Sequence, residues 1–321
     1  MPVENQAKVN IAIVGCGYWG GNLVRVFGEL GFLYAVCDPN VDLASKYSEH
    51  YGAACLTFDE VVNDDKVEGV VLAVPAPLHA QMAIAALNAG KHVFVEKPLA
   101  MTQIEAERMM RASEKNNVHL MVGHLLQYHA AFRKVCEMVA ADKIGALQYL
   151  YSNRLSHGKL RHEEDVIWSF APHDISMILT IAGQEPDSVK TEKVTILQEG
   201  IADSATLHLQ FPSGLRAHVS VSWLHPFKEQ RLVVIGSTGM IVFDDTKPWS
   251  QKCALYRHST IFTDQQPSLV SGEQEYVQVP QSEPLQNECQ HFADVVSGGE
   301  RPLTNAAEGL RVLRVLEATA S

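Results

Sequence analysis

The sequence predicts an α/β fold in which a doubly wound parallel sheet is followed by an α+β domain built on a largely antiparallel sheet. Three observations lead to this prediction. Apolar strands alternate with helices over the first third of the chain, a glycine-rich turn joins the first strand to the first helix, and closely spaced strand patterns follow residue 187. The length of 321 residues and a hydrophobic fraction of 46% favour two domains.

The N-terminal elements follow in chain order. The apolar strand Ile11–Val14 leads into a glycine cluster and then into a helix whose apolar side chains recur at helical spacing. Further strands are expected at Leu33–Cys37, 67–74, 92–95 and 119–122, and further helices at 77–89 and from Thr102, which starts a capping box, to about Asn116. Because these strands are apolar throughout, they are typical of a parallel sheet that is covered on both faces.

The pattern of predicted helices and strands changes near Gly123. A helix over about 130–141 and a strand at 147–155 precede a helical segment at 172–181. Strand patterns then follow at 189–197, 205–211, 215–223 and 231–235, separated by glycine-containing turns, and they predict an antiparallel sheet. Residues 260–275 are expected to form a long loop, and two helices, 288–296 and Ala306–Ala318, complete the pattern.

Composition excludes several classes of protein. The formal net charge is −11 without a long basic run, which disfavours nucleic acid and anionic membranes as partners. The six cysteines form no CxxC pair, and no group of histidines has metal-ligand spacing, so we expect neither disulfides nor a metal site. The polar start lacks a secretory signal, and a reducing cytoplasmic compartment is favoured.

The motif Gly15-Cys16-Gly17-Tyr18-Trp19-Gly20 predicts a dinucleotide site. It follows a buried strand and opens a helix, so its backbone N–H groups can face a pyrophosphate at the positive helix end. Asp38 ends the second strand, where a carboxylate accepts hydrogen bonds from ribose hydroxyls and repels a 2′-phosphate. The pattern therefore predicts a Rossmann domain that prefers NAD to NADP. The alternative is that Asp38 only caps the turn at Pro39-Asn40.

Several further motifs carry a resemblance to a known family. The strand ending in Glu96-Lys97-Pro98 and followed by the capped helix at Thr102 resembles the hallmark of the glucose–fructose oxidoreductase, inositol dehydrogenase and MocA (Gfo/Idh/MocA) family. Other segments similar to the family in order and spacing are 15–22, 74–79, Gly123-His124, Asn153-Arg154, 168–174, 283–292 and 301–304. Some of these resemble a subgroup found among nucleotide-sugar dehydrogenases.

The resemblance implies an NAD(P)-dependent dehydrogenase with a Rossmann domain over 1–122 and a substrate-binding, oligomerisation domain over 123–321. It implies that Lys97 and His173 are the catalytic pair, and that the protein is a homo-oligomer, a dimer or tetramer, joined through the C-terminal sheet. The residues implied to bind the cofactor are Gly15, Gly17, Tyr18, Trp19, Gly20, Asp38, Val74, Pro75, His79, Glu96 and Lys97. Those implied to bind substrate are Tyr128, Asn153, Arg154 and Asp174.

Ser169 departs from the family pattern. The position four residues before the catalytic histidine is usually Asp in the family, and a serine cannot supply a negative charge to stabilise an imidazolium. Ser169 is therefore a third candidate for the catalytic set. Asp165 or Asp174 is a candidate to compensate for the missing carboxylate.

The expected substrate is a sugar, sugar acid, inositol or nucleotide sugar with a secondary hydroxyl or ketone. A polar, partly basic stretch that includes Lys159, Arg161 and His162 either receives a carboxylate or diphosphate or forms a solvated loop. Two rival functions stay open. One is NAD-dependent glycoside cleavage on the same scaffold, and the other is a catalytically weak, cofactor-binding regulatory protein.

Overall fold

The computed structural model describes residues 9–158, 160–161, 164–263 and 266–319. Lys159 and His162 lie outside these residues. The chain forms two compact units. The first comprises Met1–Leu125 and Glu283–Leu313, and the second comprises Leu126–Ser282 and Arg314–Ser321.

The first unit is built on a six-stranded parallel sheet, as predicted. Its strands are β1 (Ile11–Val14), β2 (Leu33–Cys37), β3 (Ala54–Cys55), β4 (Gly69–Leu72), β5 (His92–Glu96) and β6 (Leu120–Gly123), in the spatial order β3-β2-β1-β4-β5-β6. Its N-terminal helices are α1 (Gly20–Glu29), α2 (Val41–Tyr51), α3 (Phe58–Asn63), α4 (His79–Asn88) and α5 (Gln103–Asn116). The strand order reverses between β1 and β4, and folds of this kind bind ligands in the crevice at that point.

A later part of the chain completes this unit. The helix α8 (Pro284–Val296) places Phe292 against Phe27 and Phe94, with ring centroids 6.4 and 5.6 Å apart. The Thr304 hydroxyl donates to the main-chain carbonyl oxygen of Val122, within β6, at 2.6 Å. The core of the parallel sheet is therefore closed by residues far away in sequence. The last helix, α9, spans Ala306–Ala318.

The second unit contains a mostly antiparallel sheet of eight strands. In spatial order these are β16 (Gln274–Tyr276), β13 (Cys253–Tyr256), β12 (Met240–Asp244), β11 (Leu224–Gly236), β7 (Leu147–His157), β10 (Arg216–Ser222), β9 (Ser204–Gln210) and β8 (Ser188–Val194). Only the β7–β10 pair among these is parallel. The helices α6 (Ala130–Ala140) and α7 (Val166–Ala182) belong to the same unit, and α7 packs against β7, β9 and β10.

Two predictions about this unit are wrong. The helix expected to begin at Pro172 begins at Val166, because the Asp165 carboxylate caps it by accepting from the N–H groups of Ile167 and Trp168 at 3.0 and 3.1 Å. Pro172 lies inside this helix. The expected loop at 260–275 instead contains a hairpin, β14 (Ser259–Thr263) and β15 (Gln266–Val270), and part of β16.

No helix in the described part of the chain is both long and apolar enough to span a membrane.

Candidate active site

The glycine turn after β1 is shaped by close backbone contacts. Gly15 has φ of 92°, and a Cβ there would stand 2.5 Å from the carbonyl oxygen of Ala73. A Cβ on Gly20 would stand 1.9 Å from the carbonyl oxygen of Gly15, so a side chain at either position would collide with the main chain. Among the residues that the structure describes, and apart from its chain neighbours, a Cβ on Gly17 would meet no atom within 4 Å. Protein packing therefore does not require glycine at position 17, whereas the close approach of a ligand would.

Asp38 is tied to this turn. Its Oδ2 atom accepts from the backbone N–H of Cys16 at 2.6 Å, and its Oδ1 atom accepts from the N–H of Asn40 at 2.8 Å. The carboxylate thus caps the turn after β2 and also holds the glycine turn in place. Because each carboxylate oxygen has two acceptor sites and Asp38 is only half-buried, it can still accept from a ribose hydroxyl. The capping alternative and the ribose-binding role are compatible.

Glu96, at the carboxyl end of β5, connects the glycine turn to Lys97. Its Oε1 atom accepts from the indole Nε1–H of Trp19 at 2.5 Å, and its Oε2 atom accepts from the backbone N–H of Lys97 at 3.2 Å. The glutamate is 8% exposed. Burial raises the pKa of its carboxyl, and the Trp19 hydrogen bond and the Lys97 charge oppose that rise. Lys97 itself is half-buried and follows the strand end, the edge where such folds place ligands.

The buried His79 side chain hydrogen-bonds to the loop that follows β4. Its imidazole is buried, with Nδ1 2.8 Å from the carbonyl oxygen of Pro98 and Nε2 2.9 Å from that of Val74. Burial lowers the pKa of His79, and a neutral ring donates to only one of the two carbonyls. Pro75 is exposed in the same loop, and Tyr18 is 91% exposed in the glycine turn. The buried His79 imidazole therefore contacts the main chain of Val74 and Pro98, whereas the side chains of Pro75 and Tyr18 are exposed.

Ser169 and His173 lie one turn apart on α7, in the second unit. Residues four apart on a helix share a face, so the two side chains are neighbours. Ser169 is 7% exposed and His173 is half-buried. Asp165, a candidate to support the histidine, caps the helix and also lies 3.7 Å from the Nζ atom of Lys193.

The other compensating candidate, Asp174, is engaged with β7. Its Oδ1 atom accepts from the Ser152 hydroxyl and its Oδ2 atom from Nε of Arg154, both at 2.5 Å. Asp174 is 1% exposed, so the buried pair fixes the orientation of the Arg154 guanidinium. The amide of Asn153 donates to Glu229 at 2.8 Å. Tyr128 is 7% exposed and ends the short 3-10 turn that begins at Leu125.

The predicted residues therefore fall into two groups. The first unit brings together the glycine turn, Asp38, Val74, Glu96 and Lys97 at the carboxyl ends of β1, β2, β4 and β5. The second unit holds Ser169, His173 and the substrate candidates of β7 and α7. Among the described residues, no three or more His, Cys, Asp or Glu side chains are arranged to hold a metal ion.

Sequence reasoning missed Glu288 and Ser152. Glu288 is fully buried on α8, where it interrupts an apolar stripe that includes Leu285, Cys289 and Phe292. A charged residue at a core-facing helical position was the available signal. Ser152 gave no such signal, because a serine within a strand is common.

Family models of known proteins match residues in both units. Residues 9–124 match a family model described as an oxidoreductase family with an NAD-binding Rossmann fold, and residues 132–242 match the GFO/IDH/MocA C-terminal domain. A myo-inositol 2-dehydrogenase from Thermotoga maritima is 25% identical, with 95% of this chain and 93% of the relative covered. An NAD+-dependent scyllo-inositol 2-dehydrogenase from Bacillus subtilis is also 25% identical, with coverages of 92% and 88%.

Solved structures share the fold. The UDP-N-acetylglucosamine 3-dehydrogenase from Acidithiobacillus ferrooxidans superposes with a TM-score of 0.85 at 21% sequence identity, covering 97% of this chain and 96% of that one. The chain therefore shares its fold, a parallel sheet in one unit and a mostly antiparallel sheet in the other, with a protein of known structure.

Proposed function

The chain belongs to the Gfo/Idh/MocA family and is an NAD(P)-dependent oxidoreductase, and we propose from this premise that it uses NAD to oxidise a secondary hydroxyl of a sugar-like substrate. Relatives named for inositols, a nucleotide sugar and an anhydro sugar support this substrate class. The observation that carries the proposal is the clustering of the glycine turn, Asp38, Glu96 and Lys97 at one edge of the parallel sheet.

The residues at this edge fit a dinucleotide. The open space beside Gly17 gives a pyrophosphate access to backbone N–H groups at the start of α1. Asp38 directly follows the neighbouring strand β2, where it accepts from the ribose and repels a 2′-phosphate. NAD is therefore the proposed cofactor, and when bound it supplies the hydride acceptor.

Lys97 and His173 are the proposed catalytic pair. Oxidation of an alcohol releases a proton as the hydride leaves, and a histidine that titrates near neutral pH serves as the base that accepts it. The Lys97 ammonium stabilises the developing alkoxide and orients the hydroxyl. Glu96 positions Lys97 through its contact with the lysine main chain. Ser169 lies one turn before His173 but cannot supply the negative charge that would stabilise a protonated histidine.

Arg154 is the proposed anchor for an anionic part of the substrate. Its Nε atom is occupied by Asp174, and Nη1 lies 3.1 Å from the Gln230 amide oxygen when that amide is oriented to satisfy both its neighbours. A guanidinium has five N–H donors, so others remain to bind a carboxylate or diphosphate. This favours a sugar acid or nucleotide sugar over an uncharged inositol. Asn153, Tyr128 and Asp174 complete the proposed substrate set.

Turnover screening tests the proposal. Purified protein is assayed with NAD and NADP against inositols, free sugars, sugar acids and nucleotide sugars, with NADH followed by absorbance and products by mass spectrometry. We expect NADH to accumulate with an anionic substrate, and the Lys97→Ala variant serves as the control for a contaminating dehydrogenase. Product formed without free NADH would favour glycoside cleavage or internal redox chemistry. NAD binding without any turnover would favour a regulatory protein.

The open face of the eight-stranded sheet is the proposed oligomer interface. One face packs on α7 through buried side chains such as Ala217 and Val219. The alternate residues of the same strands place Tyr149, Tyr151 and His218 together on the other face, with Tyr151 stacked on His218 at 5.2 Å. Half-exposed aromatic residues of this kind are enriched in protein interfaces. A cytoplasmic location is proposed because all six cysteines are free thiols.

A further inference from the structure

Glu288 is an ionisable group sealed inside the first unit. It lies on the face of α8 that packs toward α1, with Leu285, Cys289 and Phe292 along the same apolar stripe. Its relative exposure is 0%, and among the described residues no donor hydrogen-bonds to either of its Oε atoms. A carboxylate in such a place would be charged, buried and unsatisfied, which is costly, so the group is expected to take up a proton.

Its charged neighbour is Glu96. Phe292, one turn after Glu288 on α8, packs against Phe94, two residues before Glu96 on the same face of β5, with ring centroids 5.6 Å apart. Burial raises the pKa of Glu288 well above its ordinary value, and the negative charge of Glu96 raises it further. The two carboxyls differ in their hydrogen bonding, because Glu96 accepts from Trp19 and from the main chain of Lys97 while Glu288 accepts from neither. The negative charge therefore belongs on Glu96 and the proton on Glu288.

Other ionisable groups surround the pair. The charges of Lys97 and His124 act on Glu96 and favour its charged form. His124 is in turn hydrogen-bonded to Glu308 at 2.5 Å. Cys289 adjoins Glu288 on α8, and its thiol pKa is raised well above the ordinary value, chiefly by burial, so it stays neutral. At the start of α8, Glu283 pairs with Arg25 at 2.6 Å, which balances that charge locally.

We propose that Glu288 is a positioning residue for the cofactor turn. It holds a proton at neutral pH, so the Glu96–Glu288 pair carries one negative charge. That charge fixes the Trp19 indole of the glycine turn and lies beside Lys97. Removal of the proton would place two like charges in one buried site. Glu96 would then lose its fixed position, and the glycine turn would lose its Trp19 anchor. The link to NADH affinity rests on the proposed cofactor site, whereas the proton and its effect on Trp19 do not.

The first experiment measures the proton in cofactor-free protein. Denaturant unfolding is followed from pH 6 to pH 9.5 for the wild type, Glu288→Gln and the control Glu283→Gln, which alters a carboxylate on the same helix that is exposed. Folded Glu288 keeps a proton that the unfolded chain releases above about pH 4.3. The folded state therefore loses stability as pH rises from there until the folded carboxyl ionises.

The expected result is a difference in slope. Relative to Glu288→Gln, the unfolding constant of the wild type and of Glu283→Gln should rise about tenfold per pH unit within this window, as the release of one proton requires. Equal slopes in all three proteins would overturn the proposal. If Glu288→Gln fails to fold, Glu288→Met is used in its place, since it also lacks an ionisable group and suits an apolar site.

The second experiment tests the positioning role. The indole Nε1–H resonance of Trp19 is assigned in ¹⁵N-labelled protein by its loss in Trp19→Phe and is followed over the same pH range. We expect it to move in the wild type at the pH where the slope difference of the first experiment ends, and to stay constant there in Glu288→Gln. NADH affinity should fall at least threefold across that same pH step only where Glu288 is present. A Trp19 signal that moves equally in both proteins would overturn the positioning role. Absence of NADH binding by the wild type at pH 7 would refute the proposed function, while the indole signal still decides the role of Glu288.

Discussion

Replacement of Asp38 by Ala should narrow the preference for NADH over NADPH. In the wild type, the carboxylate holds the glycine turn through Cys16 and the following turn through Asn40, at 2.6 and 2.8 Å. It is also the group that we expect to accept from the ribose hydroxyls of NADH. The substitution removes all of these interactions together with the negative charge that repels a 2′-phosphate.

The size of the change can be worked out for the two cofactors. A hydrogen bond to a charged group contributes about 1.5–3 kcal/mol, and the lower value suits half-buried Asp38, so NADH should bind about tenfold more weakly. Removing the repulsion between the Asp38 carboxylate and the 2′-phosphate of NADPH, at a solvated site, contributes about 1 kcal/mol and so strengthens NADPH binding about fivefold. Loss of the turn contacts weakens both cofactors alike and cancels in the ratio. The ratio of the two affinities should therefore change by about 50-fold.

The assay is fluorescence titration of NADH and NADPH into the wild type, Asp38→Ala and the control Asp42→Ala. Asp42 is exposed in the first turn of α2 and carries the same charge. We expect the control to keep the wild-type ratio. Asp38→Asn is a useful third variant, because it keeps an acceptor oxygen for the turn and removes only the charge.

Two results would refute this reasoning. Tighter binding of NADPH than NADH by the wild type would contradict the assignment of Asp38 as the discriminating group. An unchanged ratio in Asp38→Ala, with both affinities reduced equally, would show that the carboxylate acts only through Cys16 and Asn40.

The remaining predictions concern catalysis and assembly. Lys97→Ala and His173→Ala should each lower turnover by about two orders of magnitude or more. NADH affinity, measured by calorimetry, should change less for His173→Ala than for Lys97→Ala. Near-normal turnover in either variant would show that the replaced residue has no role in catalysis. Ser169→Asp should move the acid limb of kcat/KM to higher pH, because a nearby negative charge favours protonated histidine. A rise in KM with no movement of the limb would instead assign Ser169 to substrate contact. Tyr151→Asp should shift the oligomer toward monomer in sedimentation experiments, and an unchanged mass would exclude the sheet face as the interface.

Much of the first unit was predictable because its signals are local. Apolar strands such as Ile11–Val14 and the capping box at Thr102 depend only on neighbouring residues, and both were found where expected. The segment between residues 40 and 66 gives a weaker helix pattern, although Asn40 caps α2 and Thr57 forms a capping box with Glu60. Those signals were present, but the exposed helices they begin lack a strong apolar stripe.

Other features depend on partners distant in sequence. In the hairpin of β14 (Ser-Thr-Ile-Phe-Thr) and the exposed β15 (Gln-Pro-Ser-Leu-Val), apolar and polar residues do not alternate, so the pattern that marks a half-buried strand is absent. The helix α7 extends past Pro172 because the Asp165 cap and the surrounding core outweigh the missing N–H of the proline. The pairing of Glu96 with Glu288 joins residues far apart in the chain, and a single sequence carries no record of that proximity.

The division of the first unit between two chain segments affects the order in which the protein folds. Until the segment from α8 to Thr304 emerges from the ribosome, Phe27 and Phe94 lack the Phe292 ring that covers them, and Val122 lacks its bond to Thr304. The core of the first unit therefore cannot be completed until the whole sheet of the second unit has been synthesised. Contacts between residues so far apart in the chain form slowly. A fragment ending near Leu125 should expose this apolar surface and aggregate.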